Sequence, residues 1–205
     1  MLHTQTVNAE LLGVLNALMN NPDFHDYYLV GGTALALQIG HRQSIDIDLF
    51  GPKELDEIEI LNFLNSIGKV QIIKKSKNIL IYNVNGIKVD FVCYKYPWVN
   101  PPVSIQNIQM ASKADIGAMK LNAITGRGSL KDFIDLYYLF EEFSLKELFN
   151  FYNLKYAEGS EFLVLKSLTY FEDAEQDEMP LMTSKLSWEK MKSKIKKEVR
   201  NYMKK

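Results

Sequence analysis

The sequence predicts an α/β protein: a twisted mixed sheet with flanking helices over residues 1–110, then a helical lobe over 111–205. Three observations carry that expectation. The run Ser44-Ile45-Asp46-Ile47-Asp48-Leu49-Phe50 alternates strictly, as a strand with one buried face does. Tyr27 to Leu37 reads as a short buried strand, a Gly31-Gly32 turn and a helix that Thr33 caps or opens. From Ala111 onward the apolar spacing turns helical and stays so.

Taken in order, residues 5–20 form an amphipathic helix through Leu11, Leu12, Leu15 and Leu18. A strand at 27–31 and a helix at 33–40 follow, then the acidic strand at 45–50, which Gly51-Pro52 stops. Glu54 to Ser66 reads as a helix packing through Ile58, Leu61 and Leu64. Strands are expected at 69–75, 79–84 and 87–94, the last two joined by Asn85-Gly86, a strong two-residue hairpin signal. Pro97 to Pro102 is a loop, and 105–110 reads as one further edge strand. Helices then occupy 111–125, 130–142, 144–153, 157–171 and 187–203, with Gly126-Arg127-Gly128 as a break.

Composition sets the outer bounds. The chain has 205 residues, 47% of them hydrophobic, and a formal charge of −1. That suits a folded globular protein, one domain or two small lobes, with no global attraction to nucleic acid. The single cysteine, Cys93, excludes an intrachain disulfide and fits a reducing cytoplasm. No basic-then-apolar leader and no apolar run long enough for a bilayer is present, so a cytoplasmic protein without membrane attachment is expected.

In the 45–50 strand Asp46 and Asp48 share a face, roughly 6.6 Å apart along the strand. Carboxylates that close repel unless a cation sits between them, and magnesium takes such hard oxygen ligands while keeping positions open for phosphates. An isolated Asp-x-Asp is more often a solvated strand end. The upstream context changes the balance: free N–H groups at a helix start behind paired glycines bind anions, and Gly40-His41-Arg42-Gln43-Ser44 leads directly into the acidic strand. Asp90, in Lys88-Val89-Asp90-Phe91, sits on the polar face of its own strand and completes a three-carboxylate cluster if that strand neighbours 45–50.

These stretches, with Ala118-Met119-Lys120-Leu121 and Lys131-Asp132-Phe133-Ile134-Asp135-Leu136-Tyr137, resemble the polymerase-β-like nucleotidyltransferase superfamily. Within it the chain is most similar to the AbiEii/AbiGii family, the toxin halves of bacterial abortive-infection toxin–antitoxin pairs. Thr33 stands where many superfamily members have serine. The resemblance implies transfer of a nucleoside monophosphate from an NTP to an acceptor hydroxyl in a cleft between the lobes. Asp46, Asp48 and Asp90 would hold two Mg2+ ions (Mn2+ being acceptable), with Asp90 also the base. Gly31, Gly32 and Thr33 would hold phosphates, with Arg42, Ser44 and Lys120 as further contacts, and Asp135 would orient Lys120. It also implies tRNA as acceptor and a cognate antitoxin from a neighbouring gene.

Alternatives stay open on the residues alone. The acceptor could equally be a protein or an aminoglycoside-like small molecule, or the chain a catalytically silent nucleotide-binding module. Lys120 could simply neutralise Asp132 and Asp135, which an apolar helix would bury and which need partners. From Lys185 to Lys205 nine basic residues face only Glu189 and Glu198. That run is either a solvated helix face or a track for an RNA backbone.

Overall fold

The computed structural model describes residues 1–204 and divides them into two compact units. The first comprises Met1–Tyr96 and Pro102–Ala111, the second Pro97–Pro101 and the chain from Ser112 onward. In the first unit the elements run α1 (Ala9–Asn20), β1 (Tyr28–Leu29), α2 (Gly31–Ile39), β2 (Asp46–Gly51), α3 (Glu57–Ile67), β3 (Val70–Lys75), β4 (Ile79–Val84), β5 (Ile87–Cys93), β6 (Val103–Ile105) and β7 (Ile108–Met110). The second unit holds α4 (Lys113–Gly126), α5 (Leu130–Leu139), α6 (Leu145–Lys155), α7 (Glu161–Leu168) and α8 (Trp188–Met203).

The seven strands form one mixed sheet in the order β3-β4-β5-β2-β1-β7-β6. β2 runs parallel to β5 and β1 parallel to β7; the remaining neighbours are antiparallel. This is the α/β architecture the alternation predicts. Ile47 and Leu49 of β2 and Val89 and Phe91 of β5 are fully buried, whereas the residues between them are partly buried. Phe24 and Tyr27 close over Phe91 with ring centroids 5.4 and 5.6 Å away, so one sheet face is an aromatic core. The other face is left to Asp46, Asp48, Lys88 and Asp90.

Local chemistry fixes the ends. Asn8 caps α1 through Leu11 N, and Asp56 caps α3 through Glu59 N. Asn85 and Gly86 take positive φ in the β4–β5 turn, as the dipeptide predicts. Three expectations need correction. α2 begins at Gly31, which places Thr33 inside the helix and fully buried. α3 packs through Ile60 and Leu64, leaving Ile58 exposed on the opposite side. The single edge strand expected at 105–110 is a hairpin: Gln106 and Asn107 turn with positive φ, β7 pairs with β1 inside the sheet, and of the two strands β6 is the one at an edge.

The helical unit has its own core, in which Leu121, Phe133, Leu136, Leu148, Phe149, Val164, Leu168, Met191 and Ile195 are buried together. Cys93 is a buried free thiol of the sheet unit. Among the described residues no helix is long and apolar enough to cross a membrane.

Candidate active site

The site of the sheet unit follows from register. β2 and β5 pair in parallel with Asp46 opposite Lys88 and Asp48 opposite Asp90. Residues opposite one another on parallel strands project to the same side, so all four polar side chains share the face away from the aromatic core. Asp46, Asp48 and Asp90 are therefore brought together by one strand pair, although Asp90 lies more than forty residues along the chain from the other two.

The three acids sit in different surroundings. Asp90 accepts a hydrogen bond from Lys88 Nζ at 2.6 Å through Oδ2, and its Oδ1 is buried without a hydrogen-bond partner among the described residues. Burial pushes the Asp90 carboxyl above its ordinary value; the Lys88 ammonium opposes the rise and the negative charge of Asp46 adds to it. Asp48 lies against the start of α2: a Cβ on Gly31 would stand 2.7 Å from Asp48 Oδ2. Gly31 also has φ +68°, in the left-handed region, so two independent constraints require glycine there. As arranged, no group of three or more His, Cys, Asp or Glu side chains among the described residues could hold a metal ion.

Gly32 answers to Arg42. A Cβ at position 32 would meet Arg42 Nη2 at 2.1 Å, so the guanidinium occupies that space. Arg42 is buried and donates from Nη1 to the Gln43 carbonyl at 2.9 Å. Thr33 Oγ1 bonds the Asp46 carbonyl and lies 2.8 Å from Ser44 Oγ. That hydroxyl pair ties α2 to the start of β2 and fixes where Asp46 stands. The N–H groups of the first turn of α2 have no intrahelical acceptor, as at any helix start.

Lys120 and Asp135 belong to the helical unit, where they form a separate cluster. Lys120 Nζ lies 2.9 Å from Asp132 Oδ1 and 2.5 Å from Asp135 Oδ2, and both carboxylates are fully buried. Arg127 Nε donates to Asp132 Oδ2 at 2.9 Å, and Ser129 Oγ to the same oxygen at 2.8 Å. Burial alone would raise the Asp132 carboxyl, but Lys120 and Arg127 together hold it at about 2.

A second buried pair was absent from the sequence reading. Lys155 Nζ, with no side-chain exposure, donates to Asp115 Oδ1 and to the Pro97 carbonyl, both at 2.8 Å, and lies 4.4 Å from the centroid of the Trp98 ring. Asp115 also accepts from Val99 N and Asn100 N. Together they pin Pro97–Pro101 to the helices. Burial lowers the Lys155 ammonium and Asp115 opposes that fall.

Comparison with known proteins identifies the family and the fold. The family described as nucleotidyl transferase AbiEii toxin, type IV toxin–antitoxin system, matches residues 13–204. An uncharacterized protein of Aquifex aeolicus strain VF5, aq_aa25, is 36% identical over 185 residues, covering 87% of this chain and 89% of its own length. The crystal structure of JHP933 from Helicobacter pylori superposes with a TM-score of 0.60 at 18% identity, covering 94% of this chain and 88% of that one. MenT4, a nucleotidyltransferase toxin from Mycobacterium tuberculosis H37Rv, does so with a TM-score of 0.61 at 16% identity, covering 94% and 84%.

Proposed function

The chain belongs to the AbiEii family of nucleotidyltransferase toxins, and from that premise we propose that the Asp46–Asp48–Asp90 face is its catalytic centre. The observation that carries this is the parallel β2–β5 register, which sets Asp48 beside Asp90 on one sheet face. The reaction is transfer of a nucleoside monophosphate from an NTP to an acceptor hydroxyl, with a tRNA as the acceptor and arrest of translation as the outcome. The acceptor oxygen forms the new bond to the α-phosphorus, the bond from that phosphorus to the bridging oxygen breaks, and pyrophosphate leaves with the displaced electron pair.

The donor types suit divalent magnesium, but as the side chains stand the three carboxylates do not form a ready-made metal site. Three carboxylates supply hard oxygen ligands, and the partnerless Oδ1 of Asp90 is an acceptor with nothing yet to accept. Asp46, Asp48 and Asp90 would hold two Mg2+ ions, whose chemistry at such sites is to neutralise the triphosphate and sharpen the nucleophile. Asp90, raised by burial, takes the proton of the attacking hydroxyl. Gly31, Gly32 and Thr33 offer backbone N–H groups to the β- and γ-phosphates. Arg42 and Ser44 supply charge and shape around that turn, the Thr33 hydroxyl being engaged with the Asp46 carbonyl.

We assign Lys120 to neutralising phosphate charge and Asp135 to holding its ammonium in place. A second reading of this cluster has a specific observation behind it: both carboxylates are fully buried, which makes Lys120 a brace between α4 and α5. The antitoxin, encoded beside the toxin, would restrain the activity, and the setting is the cytoplasm.

The test is expression of the wild type beside Asp48→Ala, scored for growth, with RNA and protein pools from each incubated with the four labelled triphosphates. The wild type arrests growth and labels RNA; the variant does neither. Label confined to protein removes the RNA acceptor, and equal toxicity of both proteins removes this chemistry as its cause.

A further inference from the structure

From α8 we infer that the helical unit carries a docking surface for the sugar–phosphate backbone of base-paired RNA, formed by Lys190, Lys197, Arg200 and Lys204. The inference rests on the RNA acceptor proposed above and locates where that acceptor is gripped.

α8 buries Met191, Ile195 and Val199 along one side. At 3.6 residues per turn, Lys190, Lys197 and Lys204 recur every second turn on the opposite side, with Arg200 beside them. All four are exposed, and they span about 21 Å of helix at 1.5 Å per residue. The other basic residues of the helix are already engaged: Lys192 pairs with Glu175 and Glu189, Lys194 with Glu141, and Lys196 lies over the Phe171 ring. Among the described residues the outer stripe has no such partner, which leaves its charge for a ligand.

Helix stability does not account for it. Cations favour the last turn of a helix, which suits Arg200 and Lys204, but Lys190 sits in the first turn, where the macrodipole opposes it. Nor does overall composition: nine basic and two acidic residues occupy Lys185–Lys205 in a chain whose total charge is −1. Positive charge is thus concentrated on one element of an otherwise acidic protein, the arrangement that draws a polyanion to one place.

The stripe also indicates which polyanion. Single-stranded RNA is held by aromatic platforms on which bases stack. The aromatic residues of α8 are turned inward, Trp188 against Phe133 and Phe171 and Tyr202 against Phe149. What faces outward is cationic only, suited to paired RNA, whose bases are stacked away and whose phosphates are presented. A membrane is a poor fit, because the apolar side of α8 is occupied by the core.

The experiment measures anisotropy of a fluorescein-labelled RNA hairpin, and of an unpaired RNA of equal length, against the wild type and a Lys190→Glu/Lys197→Glu/Arg200→Glu variant across a salt series. The wild type binds the hairpin more tightly, and the variant loses at least about tenfold in affinity at low salt. Its slope of log K against log salt is shallower by about two to three, the share of three phosphate contacts. An unchanged Tm shows that the variant is folded, since the three side chains are exposed. Equal affinity and slope for the two proteins overturn the docking surface, and tighter binding of the unpaired RNA overturns the paired-backbone assignment. Weaker hairpin binding by the variant, together with wild-type label found only in protein, would leave the surface standing and remove the RNA acceptor.

Discussion

At the residue scale the proposed centre depends on two positions with opposite demands. Gly31 adopts φ +68° with Asp48 Oδ2 pressed against it, so Gly31→Ala meets backbone strain of about 1–2 kcal/mol and displaces the carboxylate as well. The expected result is a modest fall in Tm with loss of nucleotide transfer, checked by melting and by label incorporation. Asp90 predicts the reverse pairing. Its carboxyl is raised by burial, so the folded protein holds that proton more tightly than the unfolded chain does. This group therefore costs no stability while protonated at low pH and costs progressively more as pH rises through its folded value. Asp90→Asn should abolish transfer yet melt at or above the wild-type temperature, with a difference that grows from acid to neutral pH. A variant less stable than the wild type at neutral pH would show Asp90 to be a structural anchor. Much of this was legible in the alternation of 45–50 and 87–92, because period two leaves a side chain only two faces to choose from. The Thr33 hydroxyl was not, since its engagement with Asp46 depends on how α2 crosses β2.

At the scale of elements, α4 and α5 are joined by a buried ionic knot whose removal has a calculable sign. Lys120→Met leaves Asp132 and Asp135 buried without their shared ammonium, a loss of about 3–5 kcal/mol. Urea titration checks this. A near-normal midpoint with transfer abolished would favour the phosphate role over the brace. Arg127, whose side chain is 68% exposed, should matter far less, within about 1 kcal/mol. The same knot sets an acid limit. Burial raises the Asp132 carboxyl while Lys120 and Arg127 bring it down to about 2, below its unfolded value. Its contribution is complete above the ordinary carboxylate range and is lost as pH falls from about 4 towards about 2. Asp132→Asn should flatten stability across that window. The need of Asp132 and Asp135 for partners could be read from an apolar helix carrying acids. The Lys155–Asp115 clip could not, because it joins positions forty residues apart to a loop whose conformation no periodicity encodes. The β6–β7 hairpin escaped for a similar reason: Gln106-Asn107 turns with positive φ and no glycine to announce it.

For the whole molecule, the division into two compact units makes nucleotide binding readable in calorimetry if each unit melts in its own transition. A ligand that binds only the folded form stabilises what it binds, by about 2.7 kcal/mol at a hundred times its Kd. For a unit of about a hundred residues, that raises the midpoint by roughly 10 °C or more. If the triphosphate and magnesium are held by Asp46, Asp48, Asp90 and the Gly31-Gly32 turn, the transition of the sheet unit should climb by that amount. The transition of the helical unit should climb with it if Lys120 meets the phosphates, and stay where it was if Lys120 is only a brace. Removal of the cation with a chelator should return the first transition to its ligand-free position, and Asp48→Ala should never leave it. Movement of both transitions in the wild type, but of one alone in Lys120→Met, would assign the helical unit a share in gripping the phosphates. No movement of either with saturating triphosphate would mean that the three acids on the sheet face are not a nucleotide site at all, whatever their register.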